Sequence, residues 1–337
     1  MDDIGLKAVT QLRKQLQVDA KWSRNEARGF TWWGGAYAQR IWADPCMCDD
    51  GIDLSRVHIE TDLIHGGDMA SDRDGSIAAM LQGMSLSGPI HDRKDASKWR
   101  LACSAYANED NIGWLTPLLG VAAAFQAREA ELMAPIMAGG CGGAPAMSPH
   151  PTSGKRTQRD DMLNLSDYAK SRSAPAMYAG GALGQAAGAV RRHPMVRDIQ
   201  SSDTMLSLRL ACGGPGASLV LNAGARHPNL GKGLLCLLSL PTRDHPNTVA
   251  EALRMNEREY AEVPNAWSFG SWCKGQIGLT HVAFFSDLTF RPGIHTYIVM
   301  HSLMRMSWAA GDAEDDDEPT ASYSPSLADR LRRFLRR

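Results

Sequence analysis

The sequence predicts an α+β fold made of two tandem α-β-β-β-α-β-β-α units with largely antiparallel sheets. Several segments alternate apolar and polar residues, as around Leu206, Leu208 and Leu210, which is typical of strands with one buried face. These segments follow one another in hairpin-like order, without a helix between every pair, which favours antiparallel pairing. A stretch rich in Gly, Pro, Ala and Ser at 134–160 separates two regions with the same element order.

The first unit opens with a helix in which Val9, Leu12 and Leu16 share one face. Two strand regions follow, then a short helix, a strand and a long helix. The elements expected in this unit are, in order, a helix at 6–17, strands within 29–44 and at 54–66, a helix at 76–84, a strand at 98–108 and a helix at 114–133.

The second unit repeats this order, with about a hundred residues per unit. Thr248 and Glu251 form the capping box that marks a helix N-terminus. The elements expected here are a helix within 162–190, strands at 204–212, 217–225 and 233–241, a helix at 247–260, a strand at 275–287 and a helix at 294–309.

Composition sets the boundaries between these parts. The Gly- and Pro-rich stretch has too few apolar residues to order itself, so we expect a flexible linker at 134–160. The first unit then occupies 1–133 and the second 161–311. The remaining residues, 312–337, form an acidic and then basic tail.

The element order resembles that of the type III secretion chaperone and YbjN-like (TY-Chap) superfamily, whose small domain runs helix, three strands, helix, two strands, helix. The segments at 114–131 and 267–309 are similar to actinobacterial proteins with tandem domains of this kind, in which an Arg-Pro-Gly corner joins the last strand to the final helix. The resemblance covers most of 1–311 outside the linker. It implies a chaperone-like module that binds a peptide or protein, and it brings no active-site signature.

Composition also limits the classes of partner. The net charge is −1 and 22% of the residues are charged, which argues against nucleic-acid binding over the whole surface. The N-terminal residues lack the basic start and apolar core of a signal peptide, and the apolar runs are too short for a membrane span. Seven cysteines without a regular framework indicate reduced thiols. We therefore expect a cytoplasmic protein without integral membrane association.

The strand around 56–65 is the best candidate for metal or acid–base chemistry. His58, Glu60 and Asp62 point to one side of a strand, and His65 lies just past its end. Three such ligands suit zinc or a harder ion. The alternative is a solvated polar face, with the intervening apolar residues turned to the core. No further His or Cys cluster at metal-binding spacing supports the metal.

The corner Arg291-Pro292-Gly293 has two interpretations. Arg291 beside the free N–H groups of a helix N-terminus would form an anion-holding loop. A plain turn is the favoured interpretation, because proline fixes φ, glycine accepts unusual dihedral angles and the arginine stem packs over the joint. The corresponding junction of the first unit, at 108–114, has no arginine.

An aromatic-rich region near Trp32 and Trp33 offers a binding alternative. Alternation places the two rings on opposite sheet faces, so one should be in the core. The other either grips apolar side chains of a peptide on an open face or packs in the core as well. Cys46 and Cys48 form a C-x-C pair without a second pair, which indicates two incidental thiols in a turn rather than a zinc site.

The tail ends in a short amphipathic helix candidate that carries five arginines. This helix suits an acidic partner, weak peripheral contact with an anionic membrane, or folding back on the acidic residues upstream. Its apolar face consists of Leu327, Leu331, Phe334 and Leu335.

These observations predict a non-enzymatic, chaperone-like or adaptor protein that binds a partner segment on a sheet edge or in a hydrophobic groove. No catalytic, cofactor-binding or metal residue is assigned, and no cofactor is expected. Two alternatives stay open. One is a metal-dependent enzyme using the strand of His58, Glu60 and Asp62. The other is a structural assembly component recruited by the arginine-rich tail.

Overall fold

The computed structural model confirms an α+β fold with two antiparallel sheets. The predicted amphipathic tail helix lies outside the described residues. The structure describes residues 3–49, 51–92, 94–172, 176–241, 248–263 and 266–311.

The first unit begins with a helix whose N-cap, Asp3, accepts a hydrogen bond from the backbone N–H of Leu6. Val9 and Leu12 lie buried on one face of this helix, as predicted. The helices are α1 (Ile4–Gln15), α2 (Ser76–Gln82) and α3 (Ile112–Cys141). The strands are β1 (Ser23–Glu26), β2 (Gly29–Trp32), β3 (Gln39–Ala43), β4 (Met47–Asp49), β5 (Ile52–His65), β6 (Gly88–Asp92), β7 (Asp95–Ala107) and β8 (Ala144–Pro145).

The second unit contains the predicted capping box: the Thr248 side chain accepts a hydrogen bond from the backbone N–H of Glu251. Leu206, Leu208 and Leu210 are buried on one strand face, as predicted. The helices are α4 (Leu165–Ser171), α5 (Gly181–Val190), α6 (Val249–Glu262) and α7 (Ile294–Gly311). The strands are β9 (Val196–Ser201), β10 (Met205–Leu210), β11 (Ser218–Asn222), β12 (Arg226–His227), β13 (Gly231–Pro241), β14 (Ser271–Lys274) and β15 (Gly278–Ser286).

The two sheets have the same topology. The first has the strand order β1-β2-β3-β5-β7-β6, and the second has β9-β10-β11-β13-β15-β14 read in the same sense. Even the short strands correspond, because β4 pairs with β5 and β12 pairs with β13. Each unit therefore has one more meander strand than predicted. The added strands, β1 and β9, are largely polar edge strands and lack the alternation that marks a buried face.

The segment at 134–160 differs from the expected flexible linker. Helix α3 continues to Cys141, and β8 then pairs with the end of β5. The glycines allow close packing here: a Cβ at Gly140 would lie 2.2 Å from Ser76 Oγ, and one at Gly143 would lie 2.7 Å from the carbonyl oxygen of Gly66. Composition suggested mobility, but small residues at this position serve packing against α2 and β5.

The two units exchange chain segments reciprocally. Residues 84–92 first contact β15, where the Phe284 N–H donates to the Ser85 carbonyl oxygen at 2.9 Å, and then continue as β6 of the first sheet. Residues 266–274 do the reverse: the Ser268 N–H donates to the Ser104 carbonyl oxygen at 2.8 Å, and the chain continues as β14. Each connecting segment thus bonds to both sheets, and the units are joined edge to edge.

The helices follow the same reciprocal arrangement. Helix α2 of the first unit packs on β14, and its counterpart α6 packs on β6. One hydrophobic core runs through both units, from Ile4 in α1 to Ala309 in α7. The molecule therefore resembles a symmetric dimer made within a single chain.

Candidate functional site

The predicted polar strand is β5, and its alternation is as expected. His58, Glu60 and Asp62 share the outer face of the first sheet. The inner face carries buried side chains from Val57, Ile59, Thr61 and Leu63.

The outer face is buried, however, and the prediction of a solvated polar face is wrong. His58, Glu60 and Asp62 are only 6%, 9% and 7% exposed. Helix α6 of the second unit covers them with Tyr260, whose hydroxyl donates to Glu60 Oε1 at 2.9 Å and lies 2.9 Å from His58 Nδ1. The Arg56 guanidinium stacks on the Tyr260 ring at 4.8 Å. The covering helix is some 200 residues away in sequence, so alternation within β5 could not indicate it.

Cations from the neighbouring strand occupy the carboxylates. Arg100 lies 2.8 Å from Glu60, 3.2 Å from Asp62 and 2.6 Å from Asp92, and Lys98 Nζ lies 2.7 Å from Asp62. We call this set the β5 network. Its members are Arg56, His58, Glu60, Asp62, Asp92, Lys98, Arg100 and Tyr260.

A metal would have to compete with these cations for the same oxygens. His65 lies exposed at the end of β5, where it faces Lys98 across the sheet. Within the described ranges, no group of three or more His, Cys, Asp or Glu side chains is arranged to hold a metal ion. The structure therefore places His58, Glu60 and Asp62 side by side. Their ion-pair and hydrogen-bond partners are Tyr260, Arg100 and Lys98.

The electrostatics of the β5 network favour a fixed joint between the units. Burial lowers the pKa of His58, and this effect outweighs a 2.9 Å hydrogen bond to Asp44 that acts to raise the pKa. The imidazole ring stacks on Trp42 at 4.7 Å between ring centroids. Burial also raises the pKa of the Tyr260 phenol well above its usual range. Both groups thus stay neutral near pH 7 and hold α6 on the first sheet through satisfied hydrogen bonds.

A further buried carboxylate lies beneath the exchanged segment. Glu129 of α3 is fully buried, and its Oε1 accepts a 3.0 Å hydrogen bond from the backbone N–H of Ser85, while Oε2 has no protein partner. Burial raises the pKa of Glu129 to about 7. In the second unit the buried Glu259 is instead paired with Arg305 at 2.7 Å. Among the described residues no cation pairs with Glu129, so its charge would be unpaired there when it ionises.

The Arg-Pro-Gly corner lies at an aromatic pocket between the units. Gly293 has φ +82°, in the left-handed region that glycine favours. The guanidinium of Arg291 stacks on Trp114 of α3 at 4.7 Å. The corner therefore joins β15 to α7 and ties the second unit to the first, as the turn interpretation describes.

The pocket itself is small and lined by aromatic rings. Trp114 lies 6.1 Å from Trp267 and 5.3 Å from Tyr297, measured between ring centroids. The cavity volume is about 50 Å³, and the polar residues Asn108 and Asp110 form part of its wall. It has room for little more than a small apolar group.

Another departure from expected burial lies on the second sheet. Leu235, Leu237 and Ser239 of β13 point outward at the places that His58, Glu60 and Asp62 occupy on β5, and they are only half-buried. Leu237 pairs with Val220 across the sheet, and Val220 is half-buried too. We call this surface the open face. Its members are Met205, Ser207, Arg209, Ser218, Val220, Asn222, Leu235, Leu237 and Ser239, with Leu235 at the border against Ala169 of α4.

The open face results from a difference in helix length. Helix α2 has 7 residues, whereas its counterpart α6 has 14. The shorter helix packs on β14, and α4 packs on β13 around Leu235, but in the described part of the chain no helix lies over the outer side of β10 and β11. The sequence predicts a strand at 233–241, and the only signal that its outer face would be accessible is the shortness of α2.

Trp32 and Trp33 are both buried, at 0% and 5% exposure. The prediction that one of them lies on an open face is wrong, and the core-packing alternative is confirmed. Trp33 contacts His150 edge-on at 4.7 Å, and Arg156 donates to its carbonyl oxygen. The segment expected as a linker thus covers the second ring.

All seven cysteines are free in the structure. The C-x-C pair, Cys46 and Cys48, is exposed in and beside β4, without a disulfide. The other five cysteines are Cys103, Cys141, Cys212, Cys236 and Cys273.

Comparison of the chain with protein-family models, with curated proteins and with solved structures finds no match. Each helix within the described ranges is too short or too polar to span a bilayer.

Proposed function

We propose that this protein is a non-enzymatic, chaperone-like adaptor that binds an amphipathic segment of a partner protein on the open face of its second sheet. The observation that carries the proposal is Leu237, a partly exposed outward leucine beside Val220 on a central strand that α4 covers around Leu235. The counterpart position on the first sheet, Glu60, is polar yet covered by a helix. Apolar side chains that lie partly exposed beside each other favour a docking surface.

The sheet edges are less suited to adding a strand from a partner. The edges at β6 and β14 are already used by the exchange between the units. The outer edge strand β9 carries the exposed charges Arg197 and Asp198, and its pairing with β10 is bulged. Charges and bulges protect edge strands from further pairing. The other outer strand, β1, has only 4 residues. Docking on the open face is therefore favoured over strand addition.

The joint between the units makes this surface rigid. The buried β5 network fixes α6 on the first sheet, and the exchanged segments fix the two sheets to each other. A partner segment then loses entropy on its own side only, because the receiving surface is already ordered. This supports an adaptor that presents one preformed docking face.

The proposal is tested with peptides selected from a displayed random library on the full chain. We expect amphipathic peptides with two or more large apolar side chains. Leu237→Lys should weaken their binding about tenfold or more, because a central apolar contact is replaced by a charge. Leu6→Lys, at an exposed leucine of α1, is the matched control and should leave affinity unchanged. Equal binding by Leu237→Lys and the parent, or no peptide selected at all, would contradict the proposal.

A further inference from the structure

The described chain ends close to the rim of the open face. The Met306 sulfur of α7 lies against the turn between β10 and β11, where a Cβ on Gly213 would come within 2.8 Å of it. Five residues later α7 ends at Gly311. Helix α7 packs on the inner face of the second sheet, where Cys236 lies 3.4 Å from Ser302. The chain thus leaves the inner side at the end of the sheet where Ser218 begins β11.

The remaining chain is long enough to reach the outer side. Residues 312–325 span up to about 46 Å when extended, at roughly 3.3 Å per residue, against a thickness of about 10 Å for a packed layer. As a helix, residues 326–337 are about 18 Å long. Three strands about 4.8 Å apart, such as β10, β11 and β13, offer a surface of similar width.

The apolar residues of this segment suit the open face. Leu327, Leu331 and Phe334 are spaced i, i+4 and i+7, with Leu335 beside them, so a helix would present them as one stripe. The arginines fall largely on the other sides of that helix, where they stay in water. On the first sheet the corresponding face is covered by α6, which shows that the fold accommodates a helix at this place.

We propose that residues 326–337 pack as a helix on the open face and compete there with the partner segment. The competition rests on the proposed function, whereas the packing does not. A tethered segment acts at a high effective concentration, on the order of millimolar for a short flexible connection. The tail therefore lowers the apparent affinity for free peptides, and only segments that bind better than the tail displace it.

The packing is tested by photo-crosslinking in the full chain. Phe334→p-benzoylphenylalanine should crosslink within one molecule to peptides that contain β11 or β13. Adding Leu237→Lys should remove that crosslink, and adding Leu6→Lys should retain it. Crosslinks to other elements, or crosslinks only between two molecules, would overturn the packing.

The competition is tested by the affinity of the selected peptides. Leu331→Ser with Phe334→Ser should tighten peptide binding about tenfold, because a tethered competitor is lost, while the control Thr320→Ala should not change it. Crosslinking without any peptide binding would retain the packing and reject the proposed function. Peptide binding that is equal in all tail variants, without the crosslink, would reject the packing and retain the proposed function.

Discussion

Strands β5 and β13 hold the same place in two sheets of the same topology, yet their outward residues are inverted. On β5 the outward residues are His58, Glu60 and Asp62, and they are buried. On β13 the corresponding residues include Leu235 and Leu237, and they are partly exposed. Polar and charged side chains, which are usually exposed, are buried in the first unit. Leucine side chains, which are usually buried, are accessible in the second unit.

The inversion shows that burial of a sheet face is decided by what packs on it from elsewhere in the chain. Helix α6 covers β5, and it brings Tyr260 to satisfy Glu60. Helix α2 is half as long and reaches only the β14 side of the second sheet. A duplicated architecture thus yields one closed face and one open face.

The largest expected effect comes from removing the central cation of the closed face. Arg100→Ala leaves Glu60, Asp62 and Asp92 buried with fewer cations, and we expect a loss of about 3–5 kcal/mol in the free energy of unfolding. Arg209→Ala, at an exposed arginine of β10, should cost less than about 0.5 kcal/mol. Urea unfolding of both variants measures the difference. Equal losses would show that the two faces do not differ as described.

A smaller effect should follow from Glu129, and it should depend on pH. Since burial raises the pKa of Glu129 from 4.5 to about 7, the folded state holds this proton more tightly, and its contribution to stability falls as pH rises through that window. Glu129→Gln should therefore raise the free energy of unfolding by up to about 3 kcal/mol at pH 8 and have little effect at pH 4.

The control for that prediction is Glu259, which has Arg305 as its cation. Glu259→Gln should destabilise the protein at pH 8, because it leaves the buried guanidinium without its carboxylate. Unfolding curves at pH 4, 6 and 8 for both variants decide the point. A stability gain for Glu129→Gln that is the same at each pH would contradict it.

The smallest expected effect on stability is at the centre of the open face. Leu237→Lys should change the free energy of unfolding by less than about 1 kcal/mol, because the side chain is already partly in water and the lysine stem covers the same neighbours. Ile59→Ala, on the fully buried side of β5, should cost about 2–5 kcal/mol. Thermal unfolding compares the two. A large loss for Leu237→Lys would mean that the open face is part of the core.

Much of the fold could be predicted from local patterns. Alternation identified the inner faces of β5 and β10, and the Thr248 capping box located the start of α6. Strands β1 and β9 were missed, because a polar edge strand has no buried side to reveal it. The prediction of a flexible linker at 134–160 was wrong, because glycine gives the same sequence signal for flexibility and for close packing. Gly140 is an example of close packing, against Ser76.

The candidate sites were harder to predict because they depend on contacts between the units. The common side of His58, Glu60 and Asp62 followed from alternation, but their cover by Tyr260 did not. The open face could be suspected only from the length of α2, which matters once the reciprocal placement of α2 and α6 is known. Sequence periodicity records one face of an element at a time and carries no information about a partner element far along the chain.

The reciprocal exchange of segments has a consequence for synthesis on the ribosome. The first unit can complete its own strands once β8, at residue 145, has emerged, yet residues 104–106 stay unpaired on one side until the segment at 266–268 arrives. At roughly 5–20 residues per second, that interval lasts on the order of ten seconds. During it the nascent chain presents an open strand edge and a charged, uncovered sheet face. The risk of aggregation during synthesis therefore depends on how quickly the second half of the chain follows the first.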